Sequence, residues 1–204
     1  MWAIVGRSPL PFEQTMPDSK SSSGPGPASR AAKAAPVVGV AVEAGAGLGT
    51  TVPPLPWRER WFEDYPVGET ARFGDTLVTE AEVLDFAQRF DPQPFHLDAQ
   101  AAGESIYGGI IASGWHTASM AMRMMVDHYI SVKASMGSPG IDELRWLKPV
   151  RPGDRLRMQV TVLDSRPSQS KPDRGMVQFL QEVVNQEGET VMTLKGWGMY
   201  RRRP

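Results

Sequence analysis

Hydrophobic and polar residues alternate in three segments of the C-terminal half of the chain, at residues 156–162, 176–184 and 191–200. Alternation with a period of two is typical of strands that bury one face. Turn-forming sequences separate the segments, and we expect two more strands, one near residues 70–77 and one containing Leu144 and Trp146. The pattern predicts an antiparallel sheet of about five strands.

A different periodicity, typical of helices, precedes most of these strands. Thr79 begins a capping box that ends at Glu82, and hydrophobic residues continue at helical spacing until Pro92. A second, more apolar helix is expected from Ser113 to about Lys133, with a methionine cluster that is more typical of core packing than of a ligand site. The sequence therefore predicts an α+β fold with one long apolar helix packed on the sheet.

The first 56 residues differ in composition from the rest of the chain. They are rich in Ser, Gly, Pro and Ala, and such a segment buries too little apolar surface to offset the entropy lost on ordering. We expect residues 1–56 to be a disordered low-complexity segment and residues 57–204 to be a single domain.

Composition excludes several classes of function. The formal net charge of −1 gives no general attraction to nucleic acid or to an anionic membrane, so neither partner is expected. No apolar run approaches the roughly 18 residues that a membrane helix needs, and a chain without cysteine fits a reducing compartment, so we expect a cytoplasmic protein. The histidines, His96, His116 and His128, are badly placed to share an ion, and no metal site is expected.

Candidate chemistry is concentrated in a short region between the two predicted helices. Asp91 lies five positions before His96, and two prolines restrict the backbone between them. A carboxylate and an imidazole on a rigid loop can act together on one small molecule such as water. A Gly-rich turn then leads into the apolar helix at Gly114. Free backbone N–H groups at a helix start can stabilise a developing negative charge.

This region resembles the signature of the MaoC-like dehydratases, a family of the hot dog fold that includes (R)-specific enoyl-CoA hydratases. The commoner motif reads D-x-N-P-x-H-x-D, and here Asp91, Pro94, His96 and Asp98 match it. Gly114 follows His96 by 18 residues, where the family has its oxyanion-hole glycine. Two positions differ from the motif, Gln93 in place of Asn and Ser113 in place of the His before Gly114. The resemblance extends from about Trp61 to Tyr200.

The resemblance implies reversible hydration of the 2,3 double bond of an enoyl thioester, carried by CoA or by an acyl carrier protein. It implies catalytic roles for Asp91, His96 and Gly114, no cofactor, and a homodimer or higher homo-oligomer with the acyl pocket between protomers. We expect the neighbours of Gly114 to contact the substrate, namely Ser113, Trp115 and His116, although packing is an equally good interpretation for His116.

Several interpretations stay open beside this one. Asp98 fits best as a cap or turn residue. Arg145, Lys148 and Arg151 are candidates for contact with CoA phosphates, although surface cations are common. Acyl-CoA thioesterases share the hot dog fold, but they usually carry their catalytic acid on the long helix, where this chain offers only Asp127. A non-catalytic acyl-CoA-binding protein is the third alternative.

Overall fold

The computed structural model of the protein describes residues 56–204. The predicted disorder of residues 1–56 therefore concerns, apart from Pro56, residues outside those described. Along the chain the elements are two 3₁₀ helices (Trp57–Glu59 and Phe62–Asp64), β1 (Thr70–Leu77), α1 (Glu80–Phe90), α2 (Pro94–Leu97), α3 (Ala99–Glu104), α4 (Gly114–His128), β2 (Gly140–Trp146), β3 (Arg155–Pro167), β4 (Arg174–Val184) and β5 (Thr190–Arg201).

The strands form one antiparallel sheet in the order β1-β3-β4-β5-β2. This confirms the predicted five-stranded sheet. β3, β4 and β5 lie at the centre, and side chains on β3 and β4 alternate between buried and partly buried positions. The alternation follows from the pleat of a strand, which turns successive side chains to opposite faces.

The long helix α4 packs on this sheet through a buried face. Met120, Met124 and Met125 are buried with strand residues such as Met192, which fits the expected role in core packing. Burying one such side chain stabilises the fold by about 1.5–3 kcal/mol. Met122 differs from its neighbours because it is 49 % exposed. None of the helices in residues 56–204 is both long and apolar enough to cross a lipid bilayer.

The C-terminal end of α4 is earlier than the sequence predicted. The helix ends at His128, whereas the apolar pattern predicted an end near Lys133. Tyr129 leaves the helical conformation, with φ −139° and ψ −41°. The buried hydroxyl of Ser131 then donates a hydrogen bond to the carbonyl of Arg60 at 2.6 Å. This contact ties the chain after α4 to the N-terminal part of the domain, which the local pattern cannot show.

A buried cation holds the N-terminal part of the domain in place. The guanidinium of Arg60, only 1 % exposed, lies 2.7 Å from the Glu69 carboxylate and 4.0 Å from the ring centroid of Tyr65. The hydroxyl of Tyr129 donates to the same carboxylate at 3.1 Å. Burial raises the pKa of Tyr65 to about 12. This cluster joins the segment before β1 to the C-terminal end of α4.

The edge strand β2 leaves apolar side chains exposed among the described residues. Ile141 and Trp146 on β2 are about half exposed, and so are Trp115 and Met122 on α4. Strand edges that expose apolar side chains are often covered by another element or chain.

Candidate active site

Asp91 is positioned by the end of α1. Its N–H donates to the carbonyl of Ala87 at 2.9 Å, and its φ of −152° and ψ of 65° take the chain out of the helix. Pro92 cannot continue the helical hydrogen-bond pattern because it has no N–H. The Asp91 carboxylate therefore projects from a fixed helix end.

His96 lies on the single turn α2, which begins with Pro94. Proline is favourable at the first position of a helix. Asp98 ends α2 and accepts a hydrogen bond from the N–H of Ala101 at 2.8 Å, which makes it the N-cap of α3, as the sequence suggested. The His96 ring is 4 % exposed, and its Nδ1 lies 2.8 Å from the carbonyl oxygen of Ile111. Since a carbonyl can only accept, Nδ1 carries the proton and Nε2 is left for chemistry.

The structure brings the two candidate catalytic side chains together. Nε2 of His96 lies 3.2 Å from Oδ2 of Asp91. In the neutral ring Nε2 is an acceptor, and the ionised carboxylate is an acceptor as well. Two neighbouring acceptors can hold one water molecule, which donates one hydrogen to each of them. If His96 is protonated instead, the two groups form a direct ion pair.

Two neighbouring side chains hold the Asp91 carboxylate. The hydroxyl of Ser113 donates to Oδ2 at 2.7 Å, and the side-chain amide of Gln93 donates to Oδ1 at 2.7 Å. These are the two positions at which the sequence departs from the commoner motif. The hydrogen bond from Ser113, opposed by partial burial and assisted by Gln93 and His96, holds the pKa of Asp91 below its usual value.

The start of α4 lies beside this pair. Ser113 is its N-cap, and its hydroxyl accepts a hydrogen bond from the N–H of Trp115 at 3.2 Å. Among the described residues, no acceptor faces the N–H groups of Gly114 and His116. The preceding segment is fixed because the N–H of Ala112 donates to the carbonyl of Val150 at 2.8 Å. A helix start with unpaired donors is suited to an oxygen that becomes negative.

An open cavity of about 460 Å³ borders these groups. Asp91, His96, Gly114 and Trp115 line it, so four of the six candidate site residues share one wall. Most of the remaining wall is apolar, and its aromatic and aliphatic members include Phe95, Tyr107, Ile111, Trp146 and Val150. Sequence reasoning did not assign these residues to the site. Phe95 and Tyr107 could have been suspected from their places beside His96 and the Gly-rich turn, but no local signal relates Trp146 to Gly114.

The other two candidates, Ser113 and His116, are not among the residues that line the cavity. Ser113 is buried and bonded to Asp91. His116 stacks on Phe86, with ring centroids 4.8 Å apart, and its Nδ1 has no hydrogen-bond partner in the part of the chain described. Burial lowers the pKa of His116, and the charge of Glu82 opposes that effect. This geometry corresponds to the packing interpretation of His116, and direct substrate contact by either residue stays a prediction.

The candidate cations have partners within the domain. Lys148 lines the cavity and bonds to Glu189, and Arg145 bonds to Glu143. The guanidinium of Arg151 donates to the carbonyl of Tyr107. A phosphate would therefore have to compete with these contacts.

Asp127, the acid that a thioesterase mechanism would need on α4, lies far from the cavity wall. It forms an ion pair with Arg123 at 2.6 Å on the exposed side of the last helical turns. Ten residues of helix separate it from Thr117, the last α4 residue in the wall, and this corresponds to about 15 Å.

Comparison with known proteins shows the family of this chain. The family described as MaoC like domain matches residues 64–183, a range that contains Asp91, His96 and Gly114. The protein belongs to the MaoC-like domain family. The resemblance inferred from the sequence is thereby confirmed. Membership supports a hydratase or dehydratase, which is a hydro-lyase.

Solved structures of MaoC-like proteins share the architecture. The MaoC-like dehydratase from Rhodospirillum rubrum is 42 % identical, with a TM-score of 0.66 over 71 % of this chain and 99 % of that one. The R-hydratase PhaJ1 from Pseudomonas aeruginosa is 24 % identical, with a TM-score of 0.58 over 70 % of this chain and 86 % of that one, and shows the fold alone. The sheet with α4 packed on it is the hot dog fold, as expected.

A relative with a named activity matches a shorter region. Mesaconyl-CoA hydratase from Cereibacter sphaeroides is 42 % identical over 64 residues, which are 31 % of this chain and 18 % of that protein. The matched region is therefore less than a fifth of this relative's length.

Proposed function

We propose that this protein adds water reversibly across the 2,3 double bond of an enoyl thioester to give a 3-hydroxyacyl thioester. The observation that carries the proposal is the contact of Asp91 Oδ2 with His96 Nε2 at 3.2 Å in the wall of a cavity that also contains the start of α4. The hydro-lyase family supports it. Mesaconyl-CoA hydratase, the name of one relative, denotes a reaction of this kind.

The first chemical step is the activation of water. A water that donates one hydrogen to Asp91 and the other to His96 is held with its oxygen lone pair free to attack carbon 3. As the C–O bond forms, the carboxylate–imidazole pair accepts one proton from the water. Positioned acid–base groups of this kind contribute roughly 10² to 10⁴ in rate.

The second requirement is stabilisation of the thioester oxygen and delivery of a proton to carbon 2. Electrons of the double bond move onto the thioester oxygen, which accepts a hydrogen bond from the N–H of Gly114. His96, as the protonated ring, then gives its Nε2 proton to carbon 2. One water is added in total. Its hydroxyl is bonded to carbon 3, and the proton that the pair took from it is balanced by the proton delivered to carbon 2. Loss of one oxyanion donor typically costs about 2.7–4 kcal/mol.

The substrate carrier is CoA or an acyl carrier protein, and the active form is a homodimer. The mostly apolar wall around Phe95, Ile111 and Trp146 suits an acyl group. Trp115 on α4 and Trp146 on β2 are about half exposed and also line the cavity, which supports an acyl pocket completed near a second protomer.

Incubation of the purified protein with a panel of enoyl-CoA thioesters of different chain lengths tests the proposal. We expect loss of the conjugated double bond and formation of 3-hydroxyacyl-CoA, and the reverse reaction from the product. Release of free CoA thiol without hydration would favour the thioesterase alternative. Tight binding of acyl-CoA without turnover of either kind would favour a non-catalytic acyl-CoA-binding protein. Either of these two results would contradict the proposal.

A further inference from the structure

The indole of Trp146 makes a specific contact with the first residue of α4. Trp146 is the last residue of β2 and pairs with Met192 of β5. Its Nε1–H donates to the carbonyl oxygen of Gly114 at 2.9 Å. Its ring also meets the ring of Trp115 edge-on, with centroids 5.4 Å apart and an interplanar angle of 77°. A half-exposed aromatic residue is thus fixed against the helix start on two sides.

This contact explains why position 114 is occupied by glycine. Gly114 has no positive φ, so its backbone is open to any residue. A Cβ on Gly114 would instead lie 2.6 Å from Nε1 of Trp146 and would overlap the ring carbons beside it. The space above Gly114 is therefore filled by the indole, and the absence of a side chain there does not by itself indicate close approach of a thioester.

Both ends of the Gly114–Trp115 peptide group are bonded to side chains. Its carbonyl oxygen accepts from Trp146, and its N–H donates to the Ser113 hydroxyl, which in turn donates to Asp91. A continuous series of hydrogen bonds thus runs from the candidate catalytic carboxylate to the indole. The N–H of Gly114 belongs to the preceding peptide group, lies next to this fixed unit and has no hydrogen-bond acceptor within residues 56–204.

We propose that Trp146 is a positioning residue, which holds the start of α4 where the N–H of Gly114 meets the thioester oxygen. The catalytic role of Trp146 rests on the proposed function, whereas its contact with Gly114 is independent of that function. Gly114 and Trp146 form an interdependent pair because the ring occupies the space that a Cβ would need. Trp146 acts through backbone geometry and takes no part in proton transfer.

The first experiment measures the contact without using activity. Melting temperatures are compared for the parent, Gly114→Ala, Trp146→Ala and the double variant. We expect Gly114→Ala to lower the melting temperature by several degrees in the parent, because the added Cβ overlaps the indole. In the Trp146→Ala background the same change should be neutral or stabilising, since alanine is a better helix former than glycine. If Gly114→Ala changed the melting temperature equally in both backgrounds, the inferred contact between Gly114 and Trp146 would be wrong, whatever the protein catalyses.

The second experiment measures positioning in the full-length protein with crotonyl-CoA as substrate. Trp146→Phe keeps an aromatic ring and removes the N–H, and we expect kcat to fall about tenfold, as for loss of one hydrogen bond. The dissociation constant of saturated butyryl-CoA should change less than threefold, because the donor matters most when charge has developed. Trp61→Phe is the matched control, since its ring lies near Lys133 beyond the other end of α4, and it should keep the parent kcat.

The outcomes separate this inference from the proposed function. A parent that does not hydrate crotonyl-CoA or longer enoyl-CoA contradicts the proposed function and the catalytic part of the inference, while the melting temperatures still decide the contact. A parent that hydrates, together with a Trp146→Phe variant of unchanged kcat, overturns positioning alone. Equal losses of kcat and of butyryl-CoA affinity would assign Trp146 to substrate binding and also overturn it.

Discussion

At the scale of single residues, Ser113 links two parts of the candidate active site through one hydroxyl. Its oxygen accepts from the N–H of Trp115 at the start of α4, and its hydrogen is donated to Oδ2 of Asp91. The hydrogen bond to Asp91 is the largest influence that lowers the pKa of this carboxyl. The same hydroxyl therefore caps a helix and favours the ionised form of the Asp91 carboxyl.

Replacing Ser113 with Ala should move the acid limb of the kcat/KM profile to higher pH. The carboxylate form of Asp91 is lost as pH falls through its depressed pKa, and removal of the hydroxyl raises that pKa towards its usual value. The stability that ionised Asp91 provides is also present above its unfolded pKa and lost as pH falls through the folded pKa. Loss of the N-cap should lower stability by about 1 kcal/mol.

The control for this experiment is Thr79→Ala, which removes the N-cap of α1 and does not contact Asp91. It should lower stability to a similar extent and leave the pH profile in place. Ser113→Thr, which keeps a hydroxyl, should restore the parent profile. An acid limb that stays unchanged in Ser113→Ala would contradict the assignment of Ser113 as the main cause of the lowered pKa.

The residues of the site differ in how well the sequence predicted them. Asp91 and His96 could be paired from spacing, because they flank one short loop and the structure places them 3.2 Å apart. Trp146 lies 32 positions from Gly114, and their contact depends on the pairing of β2 with β5 and on the packing of α4. Those are long-range contacts, which no local pattern encodes.

At the scale of elements, the sequence predicted those with strong periodicity. α1, α4 and the sheet follow from hydrophobic patterns of adequate length. The helices α2 and α3 were missed because four and six residues are too few to show helical periodicity. β3 extends through Pro167, beyond the predicted end near residue 162, because its polar last residues still pair with β4.

The buried ion pair of Arg60 and Glu69 holds the part of the domain that precedes β1. Its disruption should lower the stability of the fold. Glu69→Gln leaves the guanidinium of Arg60 buried without its counter-charge, so we expect the free energy of unfolding to fall by about 3–5 kcal/mol. Urea denaturation measures this difference. Asp127→Asn breaks the exposed ion pair with Arg123 and should change stability by less than about 1 kcal/mol. Similar small effects of both changes would show that the buried pair contributes little.

At the scale of the whole molecule, we expect the edge strand β2 to lie at a dimer interface. Light scattering should give a mass of two chains, or a multiple of two. Ile141→Lys, which places a charge on the exposed face of β2, should shift the protein towards single chains and lower activity with it. Leu163→Lys, a similar change on β3, which β4 and β5 separate from β2, is the control. A single-chain mass for the active parent would contradict the dimer.

Residues 1–56 should be dispensable for folding and chemistry, because their composition cannot form a core. A chain that begins at Trp57 should keep the melting temperature and the hydratase activity of the full-length protein. A large fall in melting temperature, or loss of solubility, would show that the segment docks on the domain.

Turnover of enoyl-CoA by variants of Asp91 and His96 tests whether the two residues act as one catalytic unit in hydration. Asp91→Asn and His96→Ala should each reduce kcat by several orders of magnitude, because the first change removes the charge and basicity of the carboxylate and the second removes the imidazole. The double variant should be little slower than either single variant, as expected for groups that work together. A folded Asp91→Asn protein that hydrates enoyl-CoA at close to the parent rate would show that Asp91 and His96 do not form a catalytic unit.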